Sequence, residues 1–153
     1  MPAPTIRPAR PHEHDDIARV WMESWASTGL EPASDALLEK LRARVRHEID
    51  AGWSLFVADD GGELAAMLAL HVPRHYLDML FVAPGYQGRS VGRQLLAFTR
   101  TLLPDEIRLR CVRENEKAWR WYEREGFVFE KEEFEPRTGF MMKYYRWKKE
   151  DSS

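Results

Sequence analysis

The apolar residues of this chain change their spacing several times, and each change marks an element. Thr5 to Ala9 reads as a first strand. Ile17, Val20, Trp21, Ser24, Trp25 and Thr28 then recur three and four apart. That spacing predicts a helix from about Glu13 to Thr28, ended by Gly29. Ser34 stands as the N-cap of a second helix, with Leu37, Leu38, Leu41, Val45 and Ile49 as its apolar stripe. Arg42, Arg44, Arg46 and Glu48 read as the solvated face of that helix. Ser54 to Ala58 and Glu63 to Val72 flank Asp59-Asp60-Gly61-Gly62, a composition that favours a tight hairpin. Tyr76 to Val82 reads as a strand, and Ser90 to Leu102 as a helix stopped by Pro104. Ile107 to Val112 (strand), Asn115 to Glu125 (helix), Phe127 to Phe134 and Phe140 to Trp147 (strands) complete the chain. The order β-α-α-β-β-β-α-β-α-β-β is a mixed α/β (α+β) arrangement, expected as one domain over residues 1–153 with a charged tail from about Lys148.

Two segments carry candidate chemistry. In the first, the apolar strand Leu80-Phe81-Val82 runs into a Pro84-Gly85 turn, the loop Gln87-Gly88-Arg89-Ser90-Val91-Gly92, and a helix. Free N–H groups at a helix start favour a phosphate, and glycines let backbone approach it closely. In the second, Asn115 precedes a helix with Ala118, Trp121 and Tyr122 on one face; Gly126 then ends it and Phe127 opens a strand. Together they resemble the GNAT superfamily of N-acetyltransferases, whose acyl-CoA loop is Gln/Arg-x-x-Gly-x-Gly/Ala. Its later element, Asn-x-x-Ala-x-x-Phe/Trp-Tyr-x-x-x-Gly-Phe, is matched at every position. The loop departs once, with Ser90 in place of a glycine.

The resemblance implies a mixed, twisted sheet with helices on both faces, splayed between the strand before the loop and the strand carrying Cys111. It implies acetyl-CoA as cosubstrate, with pantetheine along Leu80, Phe81 and Val82 and a backbone N–H near Val82 for the thioester oxygen. The pyrophosphate would lie on Gln87, Gly88, Arg89, Ser90, Val91 and Gly92. Asn115 would cap its helix and reach the pantetheine, and Tyr122 would protonate the departing sulfur after direct attack by an amine.

The acceptor is not encoded in a motif. A primary amine is mostly protonated at neutral pH, so a base is required. Asp78 is the leading candidate, because in a regular strand it shares a face with Leu80 and Val82. His71 and His75 are weaker candidates, Glu23 could attract a cationic substrate, and Trp21 and Trp25 could wall an acceptor site if not core. The aromatic supply suits an apolar amine or a cation held on ring faces. The primary expectation is a small-molecule amine acceptor. The alternatives are acetylation of a protein N-terminus or lysine, and a non-catalytic CoA-binding relative in which Ser90 weakens the loop. Ser90 would cost stability if its φ is positive, and at ordinary angles its hydroxyl could cap the helix or bond a phosphate.

Composition removes other classes. With 23 Lys+Arg against 25 Asp+Glu, the net charge of -2 argues against a nucleic-acid partner. No apolar run is long enough to span a membrane, and the first residues lack the apolar stretch of a signal peptide. The single cysteine, Cys111, cannot form an internal disulfide and reads as a buried thiol. A cytoplasmic protein is expected. His12-Glu13-His14-Asp15-Asp16 superficially suggests metal ligands, but alternate residues on a helix do not share a face, so no metal is expected. Homodimers are common in the family, and a homodimer is an open expectation.

Overall fold

The computed structural model describes residues 3–152. Its elements are β1 (Thr5–Pro8), α1 (His14–Ala26), α2 (Asp35–Asp50), β2 (Ser54–Asp60), β3 (Glu63–His71), β4 (Tyr76–Val82), α3 (Val91–Leu102), β5 (Glu106–Val112), α4 (Glu116–Arg124), β6 (Val128–Glu135) and β7 (Phe140–Lys148). The strands form one sheet in the order β1-β2-β3-β4-β5-β7-β6. All neighbours are antiparallel except β4 and β5. No described helix is long and apolar enough to cross a membrane.

Helices cover both faces. Ile17 and Trp21 of α1 and Leu41 and Val45 of α2 pack with Met67 and Ala69 of β3 on one side. Leu95 and Leu96 of α3 and Tyr122 of α4 pack with Leu68 and Leu70 on the other. Alternate residues of β3 thus enter opposite cores, which is why this strand reads as an unbroken apolar run. Ser34 caps α2 as its sequence predicts, accepting from the Leu37 N–H at 3.0 Å. The acidic segment before α1 serves structure: Glu13 accepts two hydrogen bonds from Arg7, at 2.9 and 2.7 Å, and one from the Arg10 N–H. The Arg7 hydrogen bonds hold its carboxyl down to about 2.

Two irregularities of β4 make its two sides chemically different. Ala69 pairs with Met79, but Leu70 pairs with Leu77, so Asp78 is an extra residue in the strand. This β-bulge breaks the alternation expected of a regular strand. Leu77, Leu80 and Val82 stay on the α3–α4 side, while Asp78 turns to the opposite side and meets Trp53 of the α1–α2 core. The expectation that Asp78 shares a face with Leu80 and Val82 is therefore corrected. Further, β4 and β5 pair only at Tyr76 and Arg108, reinforced by the Arg108 N–H to the His75 carbonyl at 2.8 Å. Beyond that point the two strands part, and the sheet opens as a V.

Candidate functional site

The V leaves backbone groups of β4 without a partner on β5. Ala83 donates to the Ala65 carbonyl at 2.8 Å. In an antiparallel ladder the neighbouring residue turns its N–H and C=O the other way, so Val82, and Leu80 two residues earlier, face β5. One of these groups has a partner: the Val82 carbonyl accepts from Gln87 Nε2 at 3.1 Å. A hollow of about 700 Å³ opens here. Leu80, Phe81 and Val82 form one wall, Gln87, Gly88, Ser90, Val91 and Gly92 of the loop its end, and Asn115, Ala118 and Trp121 of the α4 region the other wall, with Arg89 outside the lining.

The loop is held from below. Tyr86, which sequence reading passed over, donates to Asp60 at 2.7 Å, and Arg89 lies 5.5 Å from its ring centroid. Gly88 and Ser90 both have positive φ, +78° and +64°. The chain bends twice around Arg89, a geometry that turns successive N–H groups to one side. Ser90 does not cap α3 with its hydroxyl, so the serine bears the left-handed conformation without that compensation. Ser90→Gly is expected to raise stability by about 0.5–1 kcal/mol, the L-residue penalty less the extra freedom of glycine in the unfolded chain. The readout is a higher urea midpoint at constant slope, and a lower midpoint would refute it. Gly92 faces Trp121: a Cβ there would lie 3.5 Å from the indole, so larger side chains would press on the cleft wall.

Asn115 lines the cleft, but its side chain does not cap α4; only its carbonyl serves the helix, accepting from Ala118 and Trp119. The capping expectation is corrected. Tyr122 lies immediately behind the wall, 7 % exposed, its ring 5.0 Å from that of Trp121 and 5.4 Å from Phe127. Burial pushes its phenol above the ordinary value, and its hydroxyl has no hydrogen-bond partner among the described residues. Cys111 is half-buried, and the same cause pushes its thiol up to about 12, which suits a packed thiol rather than a nucleophile.

A second hollow, of about 330 Å³, lies on the other side of β4. Tyr76, Asp78 and Met79 of β4 line it together with Trp53 and His71. Asp78 Oδ2 accepts from Trp53 Nε1 at 2.6 Å and lies 3.7 Å from His71 Nε2. Burial raises the Asp78 carboxyl above its usual range, opposed by the Trp53 hydrogen bond. The surprise is α2, whose Arg44 and Glu48 face this hollow and not solvent as their charge suggests. A signal was present, since Leu37, Leu41, Arg44 and Glu48 follow one another at helical spacing, so the two charged residues continue the buried stripe. Arg74 of the turn before β4, Arg110 of β5 and Arg137 of the β6–β7 turn complete the lining.

The remaining acceptor-site candidates are not gathered here. Trp21 is 5 % exposed in the core, stacked 6.1 Å from Phe81. Trp25 donates to Glu31 at 3.0 Å. Glu23 is solvent-exposed on α1, and His75 is exposed on the turn before β4 with φ of +55°. None of the four lines either hollow.

The geometry agrees with independent comparisons. A GCN5-related N-acetyltransferase from Rhodopseudomonas palustris is 19 % identical and superposes with a TM-score of 0.79, over 97 % of each chain. YjaB from Escherichia coli, in its apo form, is 22 % identical with a TM-score of 0.78, over 96 % of this chain and 98 % of that one. The PaiA N-acetyltransferase from Thermoplasma acidophilum, solved in complex with coenzyme A, is 21 % identical with a TM-score of 0.72, over 97 % and 99 %. At such identities these likenesses speak for the fold. No curated protein matches the chain in sequence. The sequence pattern of the acetyltransferase (GNAT) family matches residues 15–127, a span running from α1 through the split sheet and loop to the end of the Asn115–Phe127 element, and the chain belongs to that family.

Proposed function

We propose that the chain moves an acetyl group from acetyl-CoA to a primary amine of a small molecule. The observation that carries this reading is the placement of two hollows on one strand: Met79 lines the smaller and the next residue, Leu80, lines the larger. An acyl carrier in the cleft and an amine in the second hollow would meet across β4. Acetyl-CoA supplies the activated acyl carbon when bound. The cleft fits it by chemistry as well as size, because unpaired strand edge suits an extended amide chain and the doubly bent loop suits a pyrophosphate. The enclosure of the second hollow by α2, β5 and the β6–β7 turn favours a small acceptor over an extended peptide.

The residues then divide the work. Asp78 orients the amine and takes its proton, directly or through water, and its raised value moves it toward the working pH of a base. A Val82 N–H turned toward β5 donates to the carbonyl oxygen as negative charge grows there, a fixed donor needing no reorganisation. Tyr122, protonated at neutral pH, gives its proton to the sulfur as the acyl bond breaks. Cytoplasmic localisation and a homodimer extend this reading.

The test is thiol release from acetyl-CoA with a panel of primary amines, alongside calorimetric binding of acetyl-CoA and of an analogue lacking the pyrophosphate portion. Binding that requires the pyrophosphate, with thiol release and an acetylated amine identified by mass, is expected. Binding without turnover of any amine would replace the reading with a non-catalytic CoA binder, and no binding would sink both.

A further inference from the structure

The smaller hollow carries more positive charge than a simple amine requires. Arg44, Arg74, Arg110 and Arg137 line it against the carboxylates of Glu48 and Asp78. Two of the four have a partner outside the lining. Arg110 donates to Glu135 at 3.0 Å and to the Tyr144 hydroxyl at 3.4 Å, and Arg137 lies 3.5 Å from the same Glu135. Arg44 and Arg74 make no ion pair among the described residues. Arg44 is the more constrained: its guanidinium stands 5.4 Å from the Trp21 ring centroid, and its buried Nε has no hydrogen-bond partner. Burial keeps it below its ordinary value, opposed by the charges of Glu48 and Asp78 and reinforced by those of Arg137 and Arg110. A guanidinium offers a planar fork of donors matched to a carboxylate or phosphonate, and one held in a hollow without a partner is ready for such a ligand.

The opposite pole lies one helical turn along α2. Glu48, His71 and Asp78 bring their oxygen and nitrogen atoms within 4.8 Å of one another, an environment for an ammonium or an amine. The neighbouring guanidinium groups oppose a divalent cation there, and Trp53 already donates to one Asp78 oxygen. The hollow is therefore bipolar, and its complement is a bipolar ligand.

Resting on the acetyltransferase reading, we propose that the acceptor is a small amine bearing its own anionic group, a carboxylate or phosphonate, with Arg44 holding the anion while Asp78 faces the amine. This reverses the expectation of a cation on aromatic faces. The aromatic groups at this end serve other ends: Trp21 backs Arg44, and Trp53 donates to Asp78.

The experiment is calorimetric titration of the protein saturated with CoA, which cannot react. The probes are the common amino acids and 2-aminoethylphosphonate, each paired with a counterpart that keeps the amine and lacks the anion: the amino-acid amides for the former, ethylamine for the latter. At least one anionic amine is expected to bind tenfold or more tighter than its counterpart. The carboxylate and phosphonate arms show which anion is preferred. Arg44→Met is expected to abolish the preference and Arg44→Lys, which keeps the charge, to retain part of it. Equal or tighter binding of the counterparts that lack the anion, or a preference that survives Arg44→Met, overturns the proposal. These titrations do not depend on turnover. Failure of the acetyltransferase reading would instead appear as absent thiol release while anionic amines still bind.

Discussion

Replacing Tyr122 by phenylalanine is expected to lower kcat by about 100- to 1000-fold while leaving acetyl-CoA affinity nearly unchanged, the loss typical of removing a general acid. The substitution is clean for a structural reason. The ring packs against Trp121 and Phe127, contacts that phenylalanine keeps, and no described group loses a hydrogen bond when the hydroxyl goes. Burial raises the phenol above its usual value, so the group holds its proton throughout the neutral range. The same shift makes full transfer to a thiolate of pKa about 8.5 unfavourable before the acyl bond breaks, which favours donation concerted with departure of the sulfur. Single-turnover rates with wild type and variant, at saturating acetyl-CoA and amine, provide the measurement. An unchanged rate would mean that sulfur leaves as thiolate and that Tyr122 is a packing residue.

Asp78→Asn is expected to lower kcat/KM by about 100-fold at neutral pH, within the range of lost base catalysis. Asparagine can still accept from Trp53 Nε1 through its amide oxygen, so the 2.6 Å contact that seats the residue has a substitute. The pH dependence gives a sharper readout. Burial raises the carboxyl, and only its ionised form accepts a proton. Activity in the wild type should therefore fall as pH drops through that raised value, above where an ordinary carboxylate titrates. The variant should lack this limb and retain only the rise due to deprotonation of the amine. A variant profile superimposable on that of the wild type would remove Asp78 from the mechanism and leave His71, 3.7 Å away, as the group to change next.

The contrast between α2 and β4 shows where reading from sequence succeeds. The Ser34 cap and the turn at Gly61-Gly62 appear where expected, and β4 spans Tyr76–Val82 as its apolar run predicts. Each depends on interactions among residues a few positions apart, so local spacing and turn chemistry carry the information. The loop and the Asn115–Phe127 element were legible for a similar reason, because the glycines, Trp121 and Tyr122 meet local demands of helix ends and packing. Asn115 shows the limit of that logic. Its type suits an N-cap, yet it sits at the cleft with ψ of 66° and its side chain makes no cap bond.

What local spacing could not supply was orientation. Whether Asp78 faces the cleft or Trp53 depends on one extra residue in the pairing of β4 with β3, between strands joined through a turn at positions 72–75. Whether Arg44 and Glu48 face water or a cavity depends on what stands opposite, namely Arg110 from β5 and Arg137 from a turn about ninety residues later in the chain. Periodicity reports which residues of a helix share a face but not what that face meets. The sequence by itself thus determined the elements, the acyl-CoA-type loop and the family resemblance. The split between β4 and β5 followed from the resemblance, whereas only the tertiary structure decided the reversal of Asp78 and the charge of the second hollow, because each depends on how separate elements pair and pack, which spacing within one element does not report.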